Sequence, residues 1–366
     1  MPDETKQSEN PKTILYVGGF ELPDKNAAAQ RVIPIAKAIR ELGSKVVFLN
    51  YAGSAFQKQW KEYYGFQCFE CPQQGIYSHL TDIRDVEEIV NSQRITHIIA
   101  YNYPSIALVK LQRLCKKKGI QVIADVTEWY VAQGSLLFRI IKTFDTEYRM
   151  RYLHIKCDAV IAISEYLYQF YMNKVRTVKI PAIVDIKEIK RKNYNYSSKE
   201  KTVFVYAGSP GGSQKERIDF IIDAIEQVKK IKNVSFHVIG MSKEEYEKCY
   251  QREYHGEATE FYGQLPHRAV VEHIINADWT IVIRDKNKVV QAGFPTKIAE
   301  SIACGTPVLA NRFSNICEYL DETNSILCEI DEIEYAIERA CALRLTIDRS
   351  LFDYHRFKNI LREVLR

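Results

Sequence analysis

"KTVFVYAGSPGGSQKERIDFIIDA", residues 201–224, reads as a buried strand, a Gly/Ser/Pro loop, Lys215 and then a helix. The continuous apolar run suits a parallel strand covered on both faces. The chain has already opened once in this way. "TILYVGG" (13–19) is strand-like, "NAAAQRVIPIAKAIRELG" (26–43) is helical and stops at Gly43, and "KVVFLNY" (45–51) is the next strand. A pattern that begins twice predicts two α/β domains, each a doubly wound, Rossmann-like parallel sheet, facing across a cleft.

The runs "THIIAYN", "IQVIADV" and "DAVIAIS" continue the first unit. "VSFHVIG" (234–240), "ATEFYG" (258–263), "DWTIVIR" (278–284), "TPVLAN" (306–311) and "SILCEI" (325–330) continue the second. The expected layout is a disordered tail over 1–12, a first domain over 13–185 and a polar, basic linker over 186–200. A second domain spans 201–347, and a last amphipathic helix occupies 348–366.

With 366 residues, 46% of them hydrophobic and 27% charged, the chain is long enough for more than one core. The longest apolar runs have strand length, so no membrane-spanning helix is expected. The net charge of +5 falls within residues 1–185, and the remainder is balanced. That excess is too thin for a nucleic-acid binder. Nine scattered cysteines with apolar neighbours point to reduced thiols in a cytosol. Cys68 and Cys71 have redox or half-zinc spacing, but no second pair completes a metal site.

In an open α/β sheet, ligands bind beyond the carboxyl ends of the strands. Two such ends carry unusual residues. After the strand 202–207, Gly208, Gly211 and Gly212 would let backbone N–H groups surround a phosphate, with Lys215 as a cap. This is neither a Walker loop nor GxGxxG, which argues against a nicotinamide dinucleotide enzyme. In "RDKNKVVQAGFPTKIAES" (284–301), Gly293 permits close backbone approach, and Pro295 presets a helix whose free N–H groups attract an anion. Lys297 opposes the helix dipole, which favours a ligand-binding reason for it. Glu300, one turn on, suits a vicinal diol. A plain Lys297–Glu300 surface pair remains the alternative. His267 reads as a residue at a helix N-terminus, with a place beside a bound base as the alternative, and His154 reads as a surface residue.

These motifs, with "FYGQLPH" (261–267) between them, resemble the family 4 retaining glycosyltransferases of the GT-B fold. The resemblance implies a nucleoside-diphosphate sugar donor held by the second domain. Glu300 would bind the ribose and Lys215 the diphosphate. Gly293, Phe294, Pro295 and Thr296 would offer backbone to sugar and phosphate. Tyr262 and Leu265 would line the base, and Gly18 and Gly19 would approach the donor sugar and acceptor. The chain departs from the family at Ala292, where a Glu is common, and at Ser209, where an Arg is common; Arg284 or Lys297 stand in as cations. In place of a first-domain His, "IADVTEWY" offers Asp125 and Glu128, which join Lys215 as catalytic candidates. The resemblance implies no metal, a leaving phosphate that deprotonates the acceptor, and a glycan or lipid-linked acceptor.

Residues 135–156 combine Leu, Phe and Ile with five Lys and Arg, as a helix lying on an anionic membrane does; a core helix with an ordinary solvated face is the alternative. A cytoplasmic bacterial enzyme, peripheral on the inner membrane and active in polysaccharide biosynthesis, is the expectation. Two rivals stay open: a GT-B-type nucleotide-sugar epimerase and a degenerate binding subunit.

Overall fold

The computed structural model describes residues 11–23, 25–73, 75–131, 135–190, 201–208 and 215–366. The expected tail therefore lies outside the described residues apart from Pro11 and Lys12, as do Ser209, Gly211, Gly212 and positions 191–200 of the expected linker.

The first domain holds β1 (Thr13–Gly18), β2 (Lys45–Ala52), β3 (Gln59–Tyr63), β4 (Phe66–Pro72), β5 (His97–Tyr101), β6 (Gln121–Val126), β7 (Ala159–Ala162) and β8 (Thr177–Lys179). They form one sheet in the order β3-β4-β2-β1-β5-β6-β7-β8. The second domain holds β9 (Thr202–Ala207), β10 (Val234–Ile239), β11 (Thr259–Gly263), β12 (Trp279–Val282), β13 (Val308–Asn311) and β14 (Ser325–Cys328), in the order β11-β10-β9-β12-β13-β14. Counted within that domain this is 3-2-1-4-5-6, the dinucleotide-fold order. The order reverses between β9 and β12, and between β1 and β5 in the first domain. Both reversal points open on the cleft.

Seven helices matter below: α1 (Ala27–Glu41), α2 (Leu136–Tyr148), α3 (Ile218–Val228), α4 (His267–Asn276), α5 (Lys288–Ala292), α6 (Thr296–Cys304) and α7 (Tyr354–Val364). The side chain of Asn26 caps α1 by accepting from Ala29 N at 2.9 Å. α1 buries Ala29, Val32, Ile35 and Ile39 against β1 and β2. α7 lies on the first domain, where Phe357, Leu361 and Val364 enter the same core and Tyr354 OH donates to Glu41 at 2.7 Å. Apolar spacing along a short stretch says that a helix is amphipathic, and only the chain path says which domain it covers.

Two features escaped the sequence. β3 and β4 form an antiparallel hairpin at the sheet edge, and β8 closes the other edge. The hairpin settles Cys68 and Cys71. Both sit on β4 at odd spacing, so they point to opposite faces and enter different cores. Burial pushes both thiols up, Cys71 to about 12. They are packing residues.

His154 is a correction. It is buried rather than at the surface, with Nδ1 at 2.9 Å from Tyr171 OH. Tyr171 OH in turn donates to Met150 O at 2.9 Å.

Among the described residues, no helix is long and apolar enough to cross a membrane.

Candidate active site

Between the domains lies a cleft of about 620 Å³ at the carboxyl ends of β9 and β12. Three cations line its second-domain wall: Lys215, Arg284 and Lys297. Each is placed by a different local cause. Lys215 enters on a short strand-like segment, where Glu216 bridges Arg284 antiparallel and Arg217 N donates to Ile283 O at 2.8 Å. Arg284 leaves β12 with its backbone held by Asn311, whose Oδ1 accepts from Arg284 N at 2.9 Å and whose Nδ2 donates to Arg284 O at 2.8 Å. Lys297 stands in the first turn of α6, after Pro295 in the cap position.

Glu216, which sequence reasoning passed over, binds these cations together. Its carboxylate is buried. Oε1 accepts from Arg284 Nε at 3.0 Å, from Arg284 Nη2, and from Lys297 Nζ at 3.2 Å. Lys297 thus pairs with Glu216, not with Glu300. Burial alone would raise the Glu216 carboxyl, but the Arg284 and Lys297 charges hold it at about 2. Burial pushes the Lys297 ammonium down to about 8, against the pull of Glu216. Lys215 is also lowered, by burial first and then by Arg284. Buried lysines whose pKa values are lowered beside a cleft mark it as a candidate functional site.

Glu300 faces the same cleft one turn along α6, and His267 Nε2 lies 3.0 Å from its Oε1. His267 is the first residue of α4, as the structural reading expected, and it also stands in the cleft wall beside the carboxylate. Gly208, Gly293, Phe294, Pro295 and Thr296 also line the cleft, with Leu265 at one end. Gly208 has φ of +144°, and a Cβ there would come 3.0 Å from Lys297 Nζ, so the lysine needs the bare backbone. The Gly293 loop is clamped: Ser164 Oγ donates to Ala292 O at 2.8 Å across the domains, and Ser314 Oγ donates to Gly293 O at 2.7 Å. Ala292 itself is fully buried in the core that joins the domains.

On the first-domain wall, Glu128 lines the cleft with Thr127 and Tyr101. Asn102 fixes that loop, its Nδ2 donating to Thr127 Oγ1 at 2.6 Å and its Oδ1 accepting from Thr127 N at 3.1 Å. Trp129 then locks the chain direction by donating to Glu147 at 2.6 Å, with Lys288 of the second domain 3.4 Å above its ring.

Three expectations do not join this constellation. Asp125 is wholly buried on β6, where its carboxylate takes Arg31 at 2.7 Å and Tyr16 OH at 2.6 Å. A strand residue on that pleat points into the layer beneath α1, so Asp125 is a core counter-ion. Tyr262 faces away from the cleft, its ring on His237 and His273 and its OH donating to Glu260 at 2.6 Å. Gly18 and Gly19 line a smaller adjoining pocket with Phe20 and Gln73; Asn26 touches both spaces. Among the described residues, no group of three or more His, Cys, Asp or Glu converges as a metal site.

Residues 201–343 match the family described as "Glycosyl transferases group 1". Sucrose-phosphate synthase from Thermosynechococcus elongatus superposes with a TM-score of 0.68 at 15% identity, over 97% of this chain and 94% of that one. Anabaena HepE in complex with UDP and glucose gives 0.62 at 15% identity, over 97% and 99%. A trehalose-6-phosphate synthase gives 0.68 at 11% identity, over 97% of each chain. No curated protein matches in sequence. At these identities the structural likeness is one of fold, and that fold is GT-B: two Rossmann-like domains about a cleft. Together the matched segment and the fold support a GT-B glycosyltransferase.

Proposed function

We propose that the chain is a retaining glycosyltransferase that moves a sugar from a nucleoside-diphosphate sugar to a hydroxyl acceptor without a metal. The carrying observation is the convergence of Lys215, Arg284 and Lys297 on the cleft, with Glu300 one helical turn from Lys297. Three cations against the one Glu216 carboxylate leave two positive charges, a match for a diphosphate leaving group. Their preorganised charge, with the N-terminus of α6, would stabilise the negative charge that develops as the glycosidic bond breaks. Glu300 would accept from the ribose hydroxyls, and Leu265 would bound the base. Glu128, on the opposite wall, would orient the acceptor, and the departing phosphate would take the acceptor's proton.

A glycan or lipid-linked acceptor is part of the proposal, with cytoplasmic residence at an inner membrane. Helix α2 supports it: Leu136, Ile140, Ile141 and Phe144 are exposed together, with Arg139 among them. Apolar side chains flanked by cations favour an anionic lipid surface. The protein should float with phosphatidylglycerol vesicles and not with phosphatidylcholine ones, and Phe144→Glu should abolish flotation. Equal behaviour on both would remove the membrane part alone.

Incubation with UDP-, GDP-, ADP- and dTDP-sugars and a glycan acceptor mixture tests the reaction. One donor should release its diphosphate, and Glu300→Ala should suppress that release. A second reading, a binding subunit without turnover, draws on the buried Ala292. Binding of a nucleotide without any product would favour it.

A further inference from the structure

We propose that Glu216 is a positioning residue of the donor site: it holds Arg284 and Lys297 as one fixed pair of cations facing the diphosphate. The inference rests on the donor-site reading above and adds a residue to it.

The geometry is that of a clamp behind the ligand wall. One carboxylate oxygen, Oε1, receives both cations, so the two heads are drawn to a single point. Lys297 Nζ is boxed on its other sides by the Tyr206 ring at 3.9 Å and by the Gly208 backbone. Tyr206 OH is buried and, among the described residues, has no hydrogen-bond partner, so it does not compete for the ammonium. Glu216 Oε2 is likewise buried without a partner among the described residues. Glu216 neutralises two buried cations through one oxygen, so its removal costs stability as well as the position of Arg284 and Lys297. Its role is then the placement and charging of its partners.

The charge argument has a sign. Lys297 is faced by Glu216 from the 215–217 segment, by Arg284 from the end of β12, by Lys215, and by the Tyr206 ring from β9. Glu300, on its own helix, is engaged by His267 instead. Of these groups Glu216 is the one carboxylate that favours the charged ammonium; Arg284 and Lys215 disfavour it. Removing that carboxylate while keeping its shape lets Lys297 lose its proton at lower pH, so diphosphate affinity is lost on the alkaline side.

The test is titration calorimetry at pH 6, 7, 8 and 9 with UDP, GDP, ADP and dTDP. Wild type, Glu216→Gln, Glu216→Asp and Lys297→Arg are compared. Wild type should bind one diphosphate evenly up to about pH 8 and then lose affinity. Glu216→Gln should bind within about threefold at pH 6 but about tenfold more weakly at pH 8, its alkaline limb moved down by about one unit. Glu216→Asp should shift the limb the same way by less, because the shorter side chain cannot reach both cations. Lys297→Arg, which does not titrate in this range, should erase the limb. An unmoved limb in Glu216→Gln, or a uniform change at every pH, would overturn the proposal. So would a limb that survives in Lys297→Arg, since it would belong to Lys215. If Glu216→Gln does not fold, Glu216→Asp decides by the same readings. A wild type that binds none of the four diphosphates defeats the donor-site reading itself, a distinct outcome.

Discussion

Asp125→Ala should destabilise the first domain rather than stop the chemistry. Asp125 and Arg31 form a fully buried pair: Arg31 Nη2 and Nε reach Oδ1 at 2.7 and 3.0 Å, and Tyr16 OH reaches Oδ2 at 2.6 Å. Arg31 Nη1 also donates to Ile180 O and Pro181 O, at 3.2 and 3.0 Å, so the pair ties α1 and β6 to the chain leaving the domain. Removing one partner of a buried pair strands the other charge and costs about 3–5 kcal/mol. For a domain of this size that is a fall of roughly 6–20 °C in melting temperature. Asp125→Asn keeps an acceptor for Tyr16 but not the charge, so it should lie close to Asp125→Ala. Urea denaturation followed by tryptophan fluorescence reads the effect, because Trp60 and Trp129 lie in the first domain and only Trp279 in the second. Nucleotide affinity of the protein still folded at 15 °C should stay within about threefold of wild type. If Asp125→Ala melts with the wild type and has lost turnover, the carboxylate is catalytic and the reasoning here is wrong.

Gly18→Ala should destabilise the first domain by about 1–3 kcal/mol, since φ is +154° and the new Cβ would meet Tyr101 O at 2.5 Å; calorimetric melting checks it. Gly208→Ala should weaken nucleoside-diphosphate binding about tenfold or more and also lower apo stability by about 1–3 kcal/mol, because φ is +144° and the new Cβ would come 3.0 Å from Lys297 Nζ; titration and melting together check it. The imidazoles of His154 and His97 are pushed down, by burial first, to about 3 and about 4. Their unfolded forms take up protons near 6.5, so this stability is present above that pH and drains as pH falls toward the folded values. Each ring should contribute a slope of about 1.4 kcal/mol per pH unit to the unfolding free energy obtained from urea denaturation below pH 6. NMR showing His154 charged at pH 5 would contradict the assignment.

The alternation of apolar runs with helical stretches carried most of the two sheets, because parallel strands buried on both faces show their composition; β4, buried and parallel to β2, was missed because it follows β3 in a hairpin rather than a helix. Short edge elements were not legible. β3 is exposed and polar, and β8 has three residues, so neither shows a period. In the site, the cleft cations and Glu300 were readable from their place after strands and at a helix start. Glu216 was not, although it follows Lys215 directly, since nothing in "KERID" says that this segment pairs with 283–285. Asp125 was misread for a related reason. A carboxylate at a strand end looks catalytic until an arginine 94 positions earlier is brought beneath it by the fold. His267 was drawn into the site by the same tertiary route, through its contact with Glu300. Ion pairs of long sequence separation are the part of a site that local pattern does not encode.

The central claim is that the cleft holds a nucleoside diphosphate between its cations and Glu300. Equilibrium titration of UDP, GDP, ADP and dTDP into wild type, Glu300→Ala and Lys215→Ala at pH 7 tests it most directly. Wild type should bind one of them saturably, and each variant should bind it about tenfold or more weakly. No binding of any of the four at millimolar concentration, or binding that both variants leave unchanged, would contradict it.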